Sequence, residues 1–443
     1  MGHFYLARST RHRETKAQPA RRVTARVEDI AAGGDGVALV DGARVFTPLT
    51  APGDLAEIDV RGDRGALVAL VEKGADRSEA PCRHYGACGG CALQHLSPDY
   101  YRRWKRRRVI EALAREGFDE ASVAETIETP AASRRRAVFA VKKAGGELSF
   151  GFNARRSAEI AAIDSCLILH QGLSSRLPAL RALAAKIEAR EFDLAVTLCD
   201  NGLDIAISGK TKEPRGPALA DLMAAASAAN AVRLSMNGDT MALFAPPLVR
   251  FDGIPVTPPP GGFLQASREG EAALIALVMG AAAGAKKIAD LFSGCGTFSL
   301  PLARAATVFA VDSDSGSIDA LTKAAAGAQA AGLNINPVKA QTRDLYERPL
   351  GAKELKAFDA VIFDPPRAGA QAQALELAKS GVPTIIGVSC NPVTFARDAA
   401  LLRDGGYTLS QTTPVDQFVY SPHVELVGVF RLQPGTRHAV VRA

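Results

Sequence analysis

The sequence has no apolar run near the roughly 18 residues that a membrane span requires, and its first residues hold no hydrophobic leader segment. No membrane association and no secretion are expected. Cysteine is sparse and odd in number, seven in 443 residues, which speaks against a disulfide framework and for reduced thiols in the cytoplasm. No internal repeat is visible. Charge of one sign does not dominate either: the net charge is +6, so its distribution tells more than its sum. What the chain does have is bulk. With 47% hydrophobic and 23% charged residues it has the composition of a soluble globular protein. Its length predicts about two to four domains.

Positive charge is concentrated locally. Residues 1–20 include Arg8, Arg11, Arg13 and Lys16 and are expected to form a basic tail, with a transit peptide as the alternative. Arg102-Arg103-Trp104-Lys105-Arg106-Arg107-Arg108 sets six cations and an indole in seven residues, and Arg134-Arg135-Arg136 adds a second cluster. Such clusters suit the sequence-independent electrostatic binding of phosphates. The alternative is the solvated face of a helix beginning near Pro98.

Organisation follows from turn residues and periodicity. Short β-type runs alternate with glycine turns from Arg22 to about Lys73: Val23–Val27, Val37–Val40, Ala43–Phe46, Ala56–Val60 and Ala66–Val71. A small closed barrel of the OB type is expected over residues 21–75, a frequent nucleic-acid binder. Residues 76–260 are expected to form a mixed α/β domain that opens with a cysteine-rich loop. Within it an amphipathic helix is predicted over Leu177–Phe192, with strands at Leu194–Leu198 and Leu203–Ile207. The Pro258-Pro259-Pro260-Gly261 loop closes that region. Residues 261–443 repeat strand, glycine turn and helix, with strands at Lys287–Leu291, Val308–Asp312, Ala360–Asp364 and Thr384–Ser389. That pattern predicts a doubly wound parallel sheet, Rossmann-like in its order of elements.

Two cysteine systems of different kinds stand out. Cys82, Cys88 and Cys91, in Cys-x5-Cys-Gly-Gly-Cys, suggest metal, whereas Cys390 follows the apolar run Thr384–Val388 and can present its sulfur at the exit of a buried strand. Asp290-Leu291-Phe292-Ser293-Gly294-Cys295-Gly296-Thr297 follows a strand, and Asp312 ends the next one, where an acid receives ribose hydroxyls. This turn with that acid resembles the S-adenosylmethionine site of class I methyltransferases; a tight βα turn in some other α/β protein is the bland reading. Asp364-Pro365-Pro366-Arg367 sits at a later strand end, and Ser389-Cys390-Asn391-Pro392 one strand beyond it. The pairing points to methylation of carbon rather than nitrogen. Carbon 5 of uracil is barely nucleophilic, so a thiolate must first add to carbon 6. After transfer a base must take the proton from carbon 5, and the thiol is expelled. Cys390 is the candidate nucleophile, against a buried structural cysteine. Glu425, in Pro422-His423-Val424-Glu425-Leu426 at the start of an apolar strand, is the candidate base, against a strand-edge glutamate.

With these residues in place the chain closely resembles the 5-methyluridine RNA methyltransferases, in particular those of 23S rRNA. The resemblance spans nearly the whole length. It includes the cysteine loop, Gly262-Phe263-Leu264-Gln265, the glycine turn, Asp-Pro-Pro-Arg-Ala-Gly, Ser-Cys-Asn-Pro and His-Val-Glu. It implies an N-terminal TRAM domain, which is an OB-like RNA-binding module. It further implies a 4Fe–4S cluster on Cys82, Cys88, Cys91 and Cys166, and a methyl-donor site at Gln265, Phe292, Thr297, Asp312, Asp344 and Asp364. Thr297, Asp312 and Asp344 depart from the commonest family residues but keep hydrogen-bonding capacity. Four thiolates would suit zinc as well as iron–sulfur; the resemblance favours the cluster. Phe263 is the aromatic that the resemblance places to stack on the target base. The implied protein is a monomeric, cytoplasmic enzyme whose partner is RNA: 23S rRNA, with tRNA as the alternative. Cys199 and Cys295 have no assigned role.

Overall fold

The computed structural model describes residues 20–433, so the basic tail expected at its start lies outside the described residues but for the last position. The chain divides into two compact units. One comprises the described residues up to Gly86 with Cys91–Trp104 and Tyr420–Pro422; the other comprises Ala87–Gly90, Lys105–Val419 and the described residues from His423 on.

The first unit is built on strands β1 (Arg21–Ile30), β2 (Gly36–Val40), β3 (Ala43–Thr47), β4 (Leu55–Arg61) and β5 (Arg64–Glu72). They close into a barrel in the order β1-β2-β3-β5-β4, with β3 and β5 parallel where Phe46 meets Arg64. Period-2 alternation turns Ala25, Ala38, Ala56 and Ile58 inward to fill so small a barrel. The five runs expected from sequence are these five strands. Beside them Ile30, Leu93, Tyr100, Tyr101 and Trp104 form a second small core, in which the Trp104 indole donates to the Ile30 carbonyl at 3.1 Å.

The second unit holds two large sheets. Its strands are β6 (Ile127–Glu128), β7 (Arg136–Ala144), β8 (Glu147–Asn153), β9 (Ile160–Ala162), β10 (Glu191–Leu198), β11 (Leu203–Gly209), β12 (Ala231–Met236), β13 (Asp239–Leu243), β14 (Val249–Phe251), β15 (Ile254–Val256), β16 (Lys287–Leu291), β17 (Thr307–Asp312), β18 (Val338–Thr342), β19 (Ala360–Phe363), β20 (Thr384–Ser389), β21 (Tyr407–Asp416) and β22 (Glu425–Leu432). One sheet runs β13-β12-β11-β10-β7-β8-β9 over a core containing Phe139, Leu180, Leu183 and Leu194. The helix predicted to reach Phe192 ends at Lys186. Phe192, Leu194 and Val196 alternate inward on β10 instead, a period of two that the longer helical pattern concealed.

The other sheet runs β18-β17-β16-β19-β20-β22-β21-β6. It is parallel from β18 to β20, as expected, but β22 lies antiparallel to both β20 and β21. The four strands expected are thus parallel, and the sheet is extended by antiparallel pairings at β22. The connection 417–424 is too short for the crossover a parallel neighbour demands. Apolar residues cover both faces, with Leu291, Phe363, Leu377 and Phe430 in one cluster and Leu274, Ile288, Val308 and Ile362 in another. Gly428 of β22 makes room for Phe395: a Cβ there would stand 2.2 Å from the ring. The helix Pro392–Asp404 that carries Phe395 is so seated directly on the strands behind the site. Among the described residues no helix is long and apolar enough to cross a membrane.

Candidate active site

Ser389 pairs with Leu426, so the next residues outward, Cys390 and Glu425, leave neighbouring strands at the same edge. Cys390 is half-buried at a strand-to-helix turn. Asn391 caps the following helix by accepting the Val393 N–H at 3.1 Å, and its amide donates to the Arg367 carbonyl at 3.0 Å. This ties the Asp-Pro-Pro-Arg loop to the thiol. The Arg367 guanidinium also reaches the His423 ring, at 2.5 Å and 2.8 Å. Burial and the Glu425 carboxylate push the Cys390 thiol up to about 11, while Arg367 acts in the opposite direction.

Glu425 is buried, with 3% of its surface exposed. Burial pushes its carboxyl up to about 7, against the hydrogen bond from Gln417 and the charge of Arg367. Burial, followed by the charges of Glu425, Asp290 and Asp312, holds Asp364 well above the usual carboxylate range. A carboxylate that titrates near neutrality at the mouth of a sheet has the property a general base needs. Gln417 joins it to the other wall. Its amide nitrogen donates to Glu425 Oε2 at 2.8 Å and to Gln265 Oε1 at 2.8 Å, and its oxygen accepts the Ala266 N–H at 3.1 Å. Gln265 in turn directs its own amide to Asp364 at 3.4 Å. Sequence reasoning missed Gln417, which directly follows the largely polar strand β21.

On the opposite side of β16 the glycine turn is sharply bent. Phe292 (φ +63°), Gly294 (φ +53°) and Gly296 (φ +98°) all adopt left-handed backbone. An aromatic residue held there is an outlier of the kind that marks functional turns. A Cβ on Gly296 would collide with Leu321 at 2.5 Å, whereas nothing lies within 4 Å of one on Gly294, so the backbone is open to a ligand at that point. Asp312, at the end of β17, accepts the Gly294 and Asp314 N–H groups, each at 2.8 Å. The Phe292 ring lies 5.7 Å from that of Tyr346, whose N–H donates to Asp344 at 2.8 Å. Thr297 sits half-buried at the end of the turn. The helix that follows is only Ser299–Leu302, too short for a helix dipole to contribute much to binding. Asp290 Oδ1 and Ser293 Oγ are buried without a hydrogen-bond partner. Orphaned polar atoms beside an open glycine turn fit a polar ligand such as S-adenosylmethionine.

The other expected residues are placed differently. Cys82 and Cys91 belong to the first unit, Cys88 and Cys166 to the second. The donor set suits a cluster, yet among the described residues no group of three or more His, Cys, Asp or Glu could hold a metal ion. The basic run is not a free cationic face. Trp104 and Lys105 are buried, with the Lys105 ammonium 2.7 Å from Asp416 and donating to the carbonyls of Phe418 and His423. Arg106 donates to the Val123 and Ala124 carbonyls. In the second basic cluster Arg135 is buried against Glu271 at 2.5 Å, while Arg136 lies over the Phe263 ring at 5.7 Å. Phe263 is 63% exposed. Cys199 and Cys295 are buried and burial pushes each thiol up to about 12, which makes them unreactive packing residues.

Comparison with known proteins follows the same lines. Residues 261–433 match the model of the tRNA (uracil-5-)-methyltransferase family. The chain is 43% identical to an uncharacterized RNA methyltransferase of Rhizobium meliloti (strain 1021), over 91% of this chain and 98% of that one. It is 33% identical to the 23S rRNA (uracil(1939)-C(5))-methyltransferase RlmD of Chromohalobacter salexigens, over 90% and 87% respectively. In fold it is similar to the Pyrococcus abyssi tRNA (uracil-54, C5)-methyltransferase, solved with S-adenosyl-L-homocysteine. That likeness has a TM-score of 0.69 at 23% identity and covers 92% of this chain and all of the other.

Proposed function

The chain belongs to the RNA (uracil-5-)-methyltransferases, which use S-adenosylmethionine, and on that premise we propose that it methylates carbon 5 of a specific uridine in 23S rRNA. The observation that carries this reading is Cys390 beside a buried Glu425 that titrates near neutrality. The Cys390 thiolate, favoured by the Arg367 guanidinium, adds to carbon 6 and makes carbon 5 nucleophilic. S-adenosylmethionine supplies the electrophilic methyl group. Glu425 then takes the proton from carbon 5, the double bond re-forms, and the thiolate leaves. Gln265, Phe292, Thr297, Asp312, Asp344 and Asp364 are the residues that would hold the donor, and exposed Phe263 would stack on the unstacked target base or its neighbour.

We assign the remaining expectations in the same way. Residues 21–75 act as an RNA-binding barrel, 76–260 as a central domain, and 261–443 as the methyltransferase domain of a cytoplasmic monomer. Cys82, Cys88, Cys91 and Cys166 would hold a 4Fe–4S cluster with a structural or RNA-organising role. The relative named for 23S rRNA favours that target. The full-length likeness to a tRNA enzyme means that the barrel does not by itself separate the two targets. Mapping 5-methyluridine in a strain lacking the protein decides. One or more sites should vanish from 23S rRNA, return with the wild type, and stay absent with Cys390→Ala. Loss from tRNA alone would overturn the target. On 5-fluorouridine RNA the wild type should form an adduct that survives denaturation, because fluorine does not leave as a proton would. Robust turnover by Cys390→Ala would overturn the covalent mechanism.

A further inference from the structure

Four buried or half-buried polar side chains form one continuous string: Asp364, Gln265, Gln417 and Glu425. Two anchors fix its direction. The ionised carboxylate of Glu425 can only accept, so Gln417 must present its nitrogen there. The Ala266 backbone N–H can only donate, so Gln417 must present its oxygen to it. The second N–H of Gln417 then meets the Gln265 oxygen, which leaves the Gln265 amide for Asp364. An amide offers two donors and an acceptor, and in Gln417, 3% exposed, each has a partner. Methionine or leucine would fill the volume but supply no donor; a carboxylate would put two acceptors face to face.

We propose that Gln417 is the positioning residue of this site, orienting the Glu425 carboxylate and tying it to Gln265 on the methyl-donor wall. The proposal rests on the assignment of Glu425 as base. A hydrogen bond to a charged group favours the charged form, and the Gln417 bond opposes the burial of Glu425. The other groups that bear on this carboxyl are the Arg367 cation, which favours ionisation, and Asp364 and Cys390, whose pKa values its charge raises in turn. Without Gln417, Arg367 alone would oppose protonation. Glu425 would then hold its proton to higher pH and lose its fixed orientation.

Gln417→Met tests this, since it keeps the length and lacks the amide. Decay of the methylated protein–RNA adduct should follow ionisation of Glu425 in the wild type. In the variant the midpoint should move up by about one pH unit, giving about a fivefold slower release at pH 7, approaching about tenfold below pH 6, that recovers in alkali. The carboxylic-acid stretch of Glu425, taken from infrared difference spectra of the free protein against Glu425→Gln, should titrate with the same displacement. Gln417→Asn, polar but one methylene short, should shift the midpoint in the same direction by less, and serves if the methionine variant does not fold. A folded variant with reduced rate and an unmoved midpoint would overturn the proposal and leave Gln417 as packing. Absence of any adduct in the wild type would instead overturn the reading on which it rests.

Discussion

Glu425 is an acid kept in a place where charge is unfavourable, and that has a consequence for stability as well as for catalysis. Its folded pKa, about 7, lies above the ordinary 4.5. The folded state therefore holds a proton that the unfolded chain releases, and stability falls as pH rises from about 4.5 to about 7, then levels off. Glu425→Gln removes this penalty while keeping an oxygen for Gln417. The variant should be more stable than wild type at pH 8, by a few kcal/mol at most, and equal to it at pH 4, as read from paired thermal melts. The same variant should stall after methyl transfer and accumulate adduct on natural uridine. General-base deletions cost about a hundred- to ten-thousand-fold. A variant less stable than wild type at pH 8 would mean that the carboxylate is paired more strongly than its surroundings imply. Unhindered turnover would assign the proton to another group.

At the scale of elements, what the sequence made legible was local. Cys390 follows a recognisable apolar strand, the glycine turn follows another, and the five runs of the barrel are short and regular. Gln417 was not legible because Gln265 reaches it from 152 residues away and Glu425 only through the β21–β22 connection. Nor could local charge density show that Lys105 points inward. In the helix Pro98–Arg115 the buried residues Tyr101, Trp104, Lys105, Val109, Ala112 and Leu113 recur at three- and four-residue spacing, so one cation of the run falls on the apolar stripe and is matched by Asp416. The hairpin β21–β22 has a test of its own. Gly428→Ala would drive a methyl into the Phe395 ring, and overpacking of that kind costs about 1–3 kcal/mol. We expect a lower melting temperature and a fall in turnover larger than any fall in S-adenosylhomocysteine affinity, because the strand that shifts carries Glu425 and not the glycine turn. Equal losses in both would mean that the whole sheet had moved.

Across the whole molecule, chemistry is assigned to residues 261–443 and RNA binding is shared between the barrel and Phe263, and the cysteines bear on how the two functions depend on each other. Arg106 is engaged with backbone carbonyls and Lys105 is buried, so neutralising the run would injure the fold before it reported on phosphate contacts; the exposed Phe263 with Arg136 beside it is the better place to look for RNA. Cys82, Cys88 and Cys91 share one short stretch and only Cys166 lies far along the sequence, so a cluster on all four would close a long loop, which restricts the unfolded chain. Protein purified without oxygen should then be brown, with iron and sulfide in near-equal amounts, and replacing any one of the four with serine should bleach it and lower its melting temperature. Colourless protein with stoichiometric zinc would overturn the cluster and leave the methyltransferase assignment standing. The decisive comparison is between bleached protein and Cys390→Ala. If the cluster serves structure or RNA binding, the bleached variants should still alkylate at Cys390 and bind S-adenosylhomocysteine while binding RNA weakly. Cys390→Ala should do the reverse: it should stay brown and bind RNA normally, yet form no adduct.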